Sequence, residues 1–216
     1  MQNTLVIASR NNGKVIEIRE LLKDFSLKIA GLNDFGPIPE IEEDGKTFDE
    51  NAYKKASFTS KILGMPVLAD DSGLSVEALG GAPGIYSARY GGEDTTDEKN
   101  CLKLLETMKG KTNRRADFEC VISIAVPTGA ALTYEGRCEG MITTEPSGTN
   151  GFGYDPIFYF PSLGKTFAEL TRVEKNRVSH RGKAFSEFRG EFDKILTWIN
   201  QQMPVFEKFH CNDENA

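Results

Sequence analysis

An α/β fold, a mixed β-sheet flanked by helices, is the architecture that this 216-residue sequence predicts, and three patterns predict it. The apolar run Leu5-Val6-Ile7 is followed by Val15, Ile18 and Leu22 at helical spacing, as in a buried strand leading into a helix. Thr47-x-x-Glu50 and Thr95-x-x-Glu98 have the form of helix capping boxes. Phe118 to Val126 and Ala131 to Arg137 flank Pro127-Thr128-Gly129 as the arms of a hairpin, so antiparallel neighbours join the sheet.

An apolar content of 39% is enough for a real core, in one sizeable domain or two intimate lobes. The expected catalytic unit is residues 1–202, with a polar tail at 203–216. No apolar run approaches the roughly 20 residues that span a bilayer, and polar Ser9 and Arg10 come too early for a signal peptide, so a soluble, cytoplasmic protein away from membranes is expected. Cys101, Cys120, Cys138 and Cys211 are widely spaced, with only His180 and His210 to assist, which argues against structural zinc and a disulfide framework. A net charge of −6 argues against sequence-independent binding to a nucleic-acid backbone, while a small anionic substrate remains allowed.

Between the first strand and its helix lies Ser9-Arg10-Asn11-Asn12-Gly13-Lys14. Unpaired N–H groups at a helix start attract anions, and Lys14 adds a cation; the alternative is an ordinary polar turn with Lys14 paired to Glu17. Its spacing is not that of a Walker phosphate loop. The helix is expected to continue through Leu21, Leu22 and Phe25. Glu42, Glu43 and Asp44 lie in the loop before the helix that Thr47 opens, which should reach about Leu63. Those acids either reach a metal or face solvent.

Val67-Leu68 reads as a short strand ending at Asp70-Asp71-Ser72-Gly73. Two acids at a buried strand end need cations, a metal or N–H partners, and on extended chain they point to opposite faces; an Asx-turn is the alternative. The glycine-rich stretch from Gly80 to Tyr90 could shape a cleft or an interface. The second capping box opens a helix that turns Leu102, Leu105 and Met108 inward. A basic run from Lys165 to Lys183 serves either phosphates or a solvated helix face, and Phe152 and Tyr154 either stack on a base or pack in the core. One last long helix carries Phe185, Phe188, Phe192, Ile195, Leu196 and Ile199 on one side.

Six of these stretches together, spread from Ser9 to Ala184 and including Thr47-Phe48-Asp49-Glu50-Asn51-Ala52, Ala69-Asp70-Asp71-Ser72-Gly73-Leu74, Gly80 to Arg89, Gly151-Phe152-Gly153-Tyr154-Asp155-Pro156-Ile157-Phe158 and Ser179-His180-Arg181-Gly182-Lys183-Ala184, resemble in order and spacing the motifs of the inosine triphosphate pyrophosphatase family, also called the Ham1 or RdgB family. The resemblance runs from about Asn3 to Asn200. It implies an elongated mixed sheet in two lobes around a central cleft, a homodimer, magnesium as cofactor, and hydrolysis of deaminated purine nucleoside triphosphates to the monophosphate and pyrophosphate. By the same resemblance Asp71 is the general base and a metal ligand, with Glu42 the second carboxylate, Glu43 its fallback, and Asp70 in support. Ser9, Arg10, Asn11, Asn12, Gly13, Lys14, Lys55, Ser72 and Lys175 correspond to the phosphate-binding set, and Phe152, Gly153, Tyr154, Asp155, His180 and Arg181 to the base and ribose pocket. A haloacid-dehalogenase-like phosphatase fits less well, since its D-x-D pattern departs from Asp70-Asp71-Ser72; a non-catalytic nucleotide sensor would share the pocket.

Overall fold

Strand β1 (Thr4–Ile7) leads through Asn11, whose side chain accepts from the Lys14 N–H, into helix α1 (Asn12–Leu21) in the computed structural model, which describes residues 4–39 and 41–203. The chain returns as β2 (Lys28–Gly31) and rises through α2 (Phe48–Leu63) into β3 (Val67–Val76). A 3-10 turn, Gly84–Arg89, precedes α3 (Asp97–Thr107), and the long strands β4 (Arg115–Ala125) and β5 (Ala131–Ile142) follow. Strands β6 (Phe158–Phe160) and β7 (Lys165–Thr166) then give way to α4 (Arg172–Val178), α5 (His180–Gly190) and α6 (Phe192–Gln202). The expected tail begins at Met203, and its residues 204–216 lie outside the described residues.

The sheet runs β2-β1-β3-β4-β5-β6-β7, with β1 parallel to β2 and β3 and every later pairing antiparallel, which makes it mixed as the hairpin required. Successive side chains of β1 take opposite faces. Leu5 and Ile7 pack with Ile18, Phe185 and Phe188 of α1 and α5, while Val6 joins Ala56 of α2, Val67 and Ala69. A further core at the other end of the long strands gathers Leu74, Leu104, Phe118, Phe158 and Phe167.

Four local expectations change. Asp70, Asp71 and Ser72 lie within β3 instead of at its end, paired in register with Ile122, Val121 and Cys120 of β4. Polar residues of low strand propensity read as a turn, but the ladder satisfies their backbone and cations face the two carboxylates. Helix α1 stops at Leu21, so Phe25 leaves the helix and stacks on Phe192, ring centroids 3.9 Å apart. Thr96, not Thr95, caps α3 by accepting from the Lys99 N–H; the frame moves by one residue, turning Cys101, Leu104 and Met108 inward and leaving Leu102 54% exposed. The last long helix is two helices, because the chain leaves helical geometry at Glu191 after Gly190, yet Phe185, Phe188, Ile195 and Ile199 are all buried as the periodicity required. At the first capping box Thr47 accepts from the Glu50 N–H as expected, whereas the Glu50 carboxylate reaches back to the Lys46 N–H.

One close approach places the chemistry. The start of α5 lies directly on β5 at Gly136, where an added Cβ would stand 2.1 Å from the His180 carbonyl oxygen and 2.5 Å from the Ala184 nitrogen. Both are backbone atoms, which cannot step aside as a side-chain tip can. Gly136→Ala is therefore expected to destabilise the fold by about 1–3 kcal/mol, the range for overpacking, read from the midpoint of urea unfolding.

Candidate active site

A cavity of roughly 520 Å³ opens where the end of β1, the middle of β3 and the 151–155 loop converge. On one side Ser9 to Lys14 turn the chain into α1. Ser9 Oγ accepts from the Asn11 N–H at 3.2 Å, Asn11 caps the helix, and Asn12 and Gly13 form its first turn, whose N–H groups and dipole favour an anion. Exposed Arg10 donates through Nη2 to the Ile38 carbonyl at 2.9 Å. A Cβ on Gly13 would come within 2.6 Å of the Phe152 ring, so glycine lets the 151–155 loop close over the helix start. Lys14 pairs with Asp70 at 3.3 Å, not with Glu17.

Asp70 and Asp71 point to opposite faces of β3, as the strand period requires. Asp70 faces α5: Arg181 donates to its Oδ2 from Nη2 at 3.0 Å and from Nε at 3.3 Å, and Ser72 Oγ donates at 3.3 Å. Burial works to raise its pKa, but Lys14 and Arg181 prevail and hold the carboxyl well below its usual range. Asp71 faces α2, where Lys55 Nζ lies 3.2 Å away and Asn51 Nδ2 donates at 3.2 Å. There burial outweighs Lys55 and Lys14, so Asp71 is more basic than an ordinary aspartate. Burial alone would depress Lys55, yet Asp71 and Glu43 raise it overall. Glu43 Oε1 lies 3.1 Å from the same ammonium and lines the cavity; Glu42 is exposed and lies outside the wall.

Behind the cavity the basic run divides. Lys165, Arg172, Arg177 and Lys183 are exposed, while Lys175 and Arg181 are buried. Lys175 Nζ donates to Asp155 at 2.6 Å and to Glu17 at 2.7 Å, and Arg181 Nη1 donates to the other oxygen of Glu17. Glu17 thus ties together two helices that follow it by some 160 positions, and those two cations lower its pKa against the effect of burial.

The 151–155 loop hangs on this network. Asp155 Oδ2 also accepts from the Phe152 N–H at 2.9 Å, and the Phe152 ring lies 4.7 Å from Lys175 Nζ and 5.7 Å from the Arg181 guanidinium carbon. Gly153 takes a φ of 62°, a left-handed geometry suited to glycine. Tyr154 is buried in the core, as one of its two sequence readings expected, and also lines the cavity, its hydroxyl donating to the Ser87 carbonyl at 2.8 Å. His180 stacks on Phe118 with centroids 4.6 Å apart, and its Nδ1 is buried without a partner among the described residues. Burial, with Arg181 and Lys175 nearby, holds this imidazole neutral.

Asp97 and Asn100 in the cavity wall were passed over by motif reasoning, and so were Glu17 and Asn51 behind it. Each of the latter two carried a signal: Glu17 is a carboxylate on the inward face of α1 beside Ile18 and Leu21, and Asn51 is a buried amide one turn after the Thr47 cap. The protein so defined has an α/β scaffold with a charged cleft, in which a helix start and several lysines confront a basic carboxylate held on a central strand. The Ham1 family model matches residues 5–191, and the chain belongs to that family. A dITP/XTP pyrophosphatase of Desulfotalea psychrophila is 59% identical over 97% of each chain, and one of Escherichia coli K12 is 54% identical over 83% of this chain and 93% of its own. The solved Ham1 protein of Staphylococcus aureus superposes with a TM-score of 0.80 at 43% identity, covering 89% of this chain and 99% of its own. That of Coxiella burnetii gives 0.80 at 44%, covering 92% and 100%.

The buried network dictates an acid sensitivity. Folding lowers the pKa values of both Asp70 and Glu17, so the folded state binds fewer protons, and their stabilisation is complete above the ordinary values of 3.8 and 4.5 and lost as pH falls through the lowered ones. The urea midpoint should fall as pH drops below about 4, with Asp71 and Asp155, whose pKa values folding raises, offsetting part of the loss. Asp70→Asn, which leaves Arg181 and Lys14 underneutralised, should cost about 3–5 kcal/mol at neutral pH and flatten the acid limb.

Proposed function

We propose that this chain hydrolyses purine nucleoside triphosphates bearing a deaminated base, the inosine and xanthosine forms with ribose or deoxyribose, to the monophosphate and pyrophosphate, and so clears them from the nucleotide pool. The observation that carries this is the pairing of Asp71, a carboxylate of raised basicity, with an adjoining helix start and the lysines Lys14 and Lys55 in one cleft. The N–H groups of α1, Ser72 and the lysines hold the triphosphate. Asp71 accepts a proton from water as its oxygen bonds to the α-phosphorus, and the bond from that phosphorus to the bridging oxygen breaks to release pyrophosphate. Lysines placed for the growing charge on the leaving group lower the barrier without a covalent intermediate.

The donor set suits magnesium. A single ammonium, that of Lys55, already sits between Asp71 and Glu43, and two carboxylates completed by phosphate oxygens and water match that ion's preference. Asp71 and Glu43 would hold it, Glu43 taking the place first expected of Glu42, and when bound it would neutralise phosphate charge.

At the other end Phe152 covers one face of the base, with Tyr154 and Asp155 holding that loop. Arg181 spends Nε, Nη2 and one Nη1 hydrogen on Asp70, Ser72 and Glu17, which fixes its plane and leaves a second Nη1 hydrogen for a ligand. With neutral His180 beside it, a 6-oxygen finds donors that the 6-amino group of adenine leaves unpaired, a mismatch that discriminates strongly. The working unit in this proposal is the two-lobed domain of residues 1–202, paired as a homodimer in the cytoplasm, where soluble nucleotides are its partners. Exposed Phe58 and Ile62, one turn apart on α2, offer an apolar surface for a second copy.

The test is product analysis with magnesium for inosine triphosphate beside ATP and GTP. Pyrophosphate and monophosphate from inosine triphosphate, with little from the others, is the expected outcome; orthophosphate would indicate a phosphatase, and binding without turnover a sensor. Asp71→Asn should lower kcat by roughly 10²- to 10⁴-fold, the range for losing a general base, with unfolding unchanged; near-normal turnover would remove it from that role.

A further inference from the structure

The start of α3 is bonded to both walls of the cleft at the end assigned to the base. Asp97, its first residue, accepts from the Gly153 N–H at 2.7 Å, and Cys101, one turn later on the same face, donates its thiol to the Gly153 carbonyl at 3.3 Å. One helix therefore holds the peptide groups on both sides of the glycine that shapes the 151–155 loop. Between them Asn100, 2% exposed, accepts from the Gly91 N–H at 2.6 Å and donates to the Ala88 carbonyl at 3.2 Å, which fixes the segment after the Gly84–Arg89 turn. The two walls also meet directly through Tyr154 and the Ser87 carbonyl. Asp97 and Asn100 both border the cavity.

We propose that the Asp97, Asn100 and Cys101 face of α3 is a positioning element for purine specificity: it sets where the 151–155 loop stands against His180 and Arg181, and so decides whether a 6-oxygen meets its donors. The proposal rests on the reading of the cleft given above. Its physical basis is rigidity. A loop that offers a ring and backbone groups to a base discriminates only if held to within a fraction of an ångström, since a displacement of about 1 Å can cost on the order of 10²-fold in rate. The Asp97 bond is charge-assisted, and its carboxylate is favoured where it stands, in the first turn of a helix. Cys101 reinforces it from inside the protein: burial pushes its thiol up to about 12, so it remains a neutral donor at working pH.

The test compares Asp97→Ala and Asp97→Asn with the unmodified protein, measuring kcat and KM for inosine triphosphate and ATP together with the melting temperature. Asp97→Ala is expected to raise KM for inosine triphosphate and lower the ratio of kcat/KM for inosine triphosphate over ATP by about tenfold, with the melting temperature nearly unmoved because Asp97 is exposed. Asp97→Asn keeps a carbonyl acceptor for the Gly153 N–H and should restore most of that ratio. An unmodified protein that prefers inosine triphosphate, joined to an unchanged ratio in Asp97→Ala, overturns the proposal while leaving the activity in place. A proportional loss on both substrates with a fallen melting temperature also overturns it, showing a merely structural bond. Absence of any preference in the unmodified protein overturns the underlying functional reading instead.

Discussion

Three buried carboxylates, Glu17, Asp70 and Asp155, face three cations, Lys14, Lys175 and Arg181, and every other feature of the cleft is arranged around their mutual neutralisation. None of these charges could be buried alone, because desolvation would cost several kcal/mol per ion. Joined, they form a chain from Asp155 through Lys175, Glu17, Arg181 and Asp70 to Lys14 that links the 151–155 loop, α4, α1, α5 and β3. The start of α1 and the 151–155 loop, to which the proposed function gives the phosphates and the base, are thereby held in one frame. Such a network adds little net stability over an apolar core, and its worth lies in geometry: the pairings hold each side chain in one orientation, although Asp70 Oδ1 is buried without a hydrogen-bond partner among the described residues.

The strand period does the rest of the placing. Asp70 and Asp71 are adjacent in sequence but face opposite sides of β3, so one carboxylate is committed to the buried network and stays strongly ionised, while the other meets α2 and becomes more basic through burial. Two neighbouring residues of one type thus acquire different chemistry from which helix each meets. The long antiparallel ladder with β4 holds that strand straight through its polar stretch, and the approach of α5 at Gly136 brings Arg181 within reach of Asp70.

Much of the fold was legible because it rests on local chemistry. The first strand and its capped helix, the Thr47 cap, the hairpin around Pro127-Thr128-Gly129 and the apolar face of Phe185, Phe188, Ile195 and Ile199 follow from periodicity and cap residues. Two of the misjudged details share one cause, a non-local partner that overrides local preference, whereas the shift of the α3 cap from Thr95 to Thr96 is local. Ladder pairing with β4 keeps Asp70 to Ser72 in a strand, and the chain break at Glu191 lets Phe192 reach Phe25. Glu17 was missed because one charged residue on an apolar helix face shows its purpose only when its partners, more than 150 residues away, are folded against it.

By itself, then, the sequence determined the mixed α/β class, the starts of α1 and α2 and the residues that carry charge and aromatic surface, since spacing, capping and side-chain type are written residue by residue. Only the tertiary structure decided which of those charges are buried together. It divided Lys175 and Arg181 from their exposed neighbours in the basic run, gave Glu43 rather than Glu42 the position beside Lys55, and anchored Gly153 to α3. Those outcomes depend on the packing of elements far apart in the chain, where the cost of an unpaired charge selects the partner that distance and orientation allow.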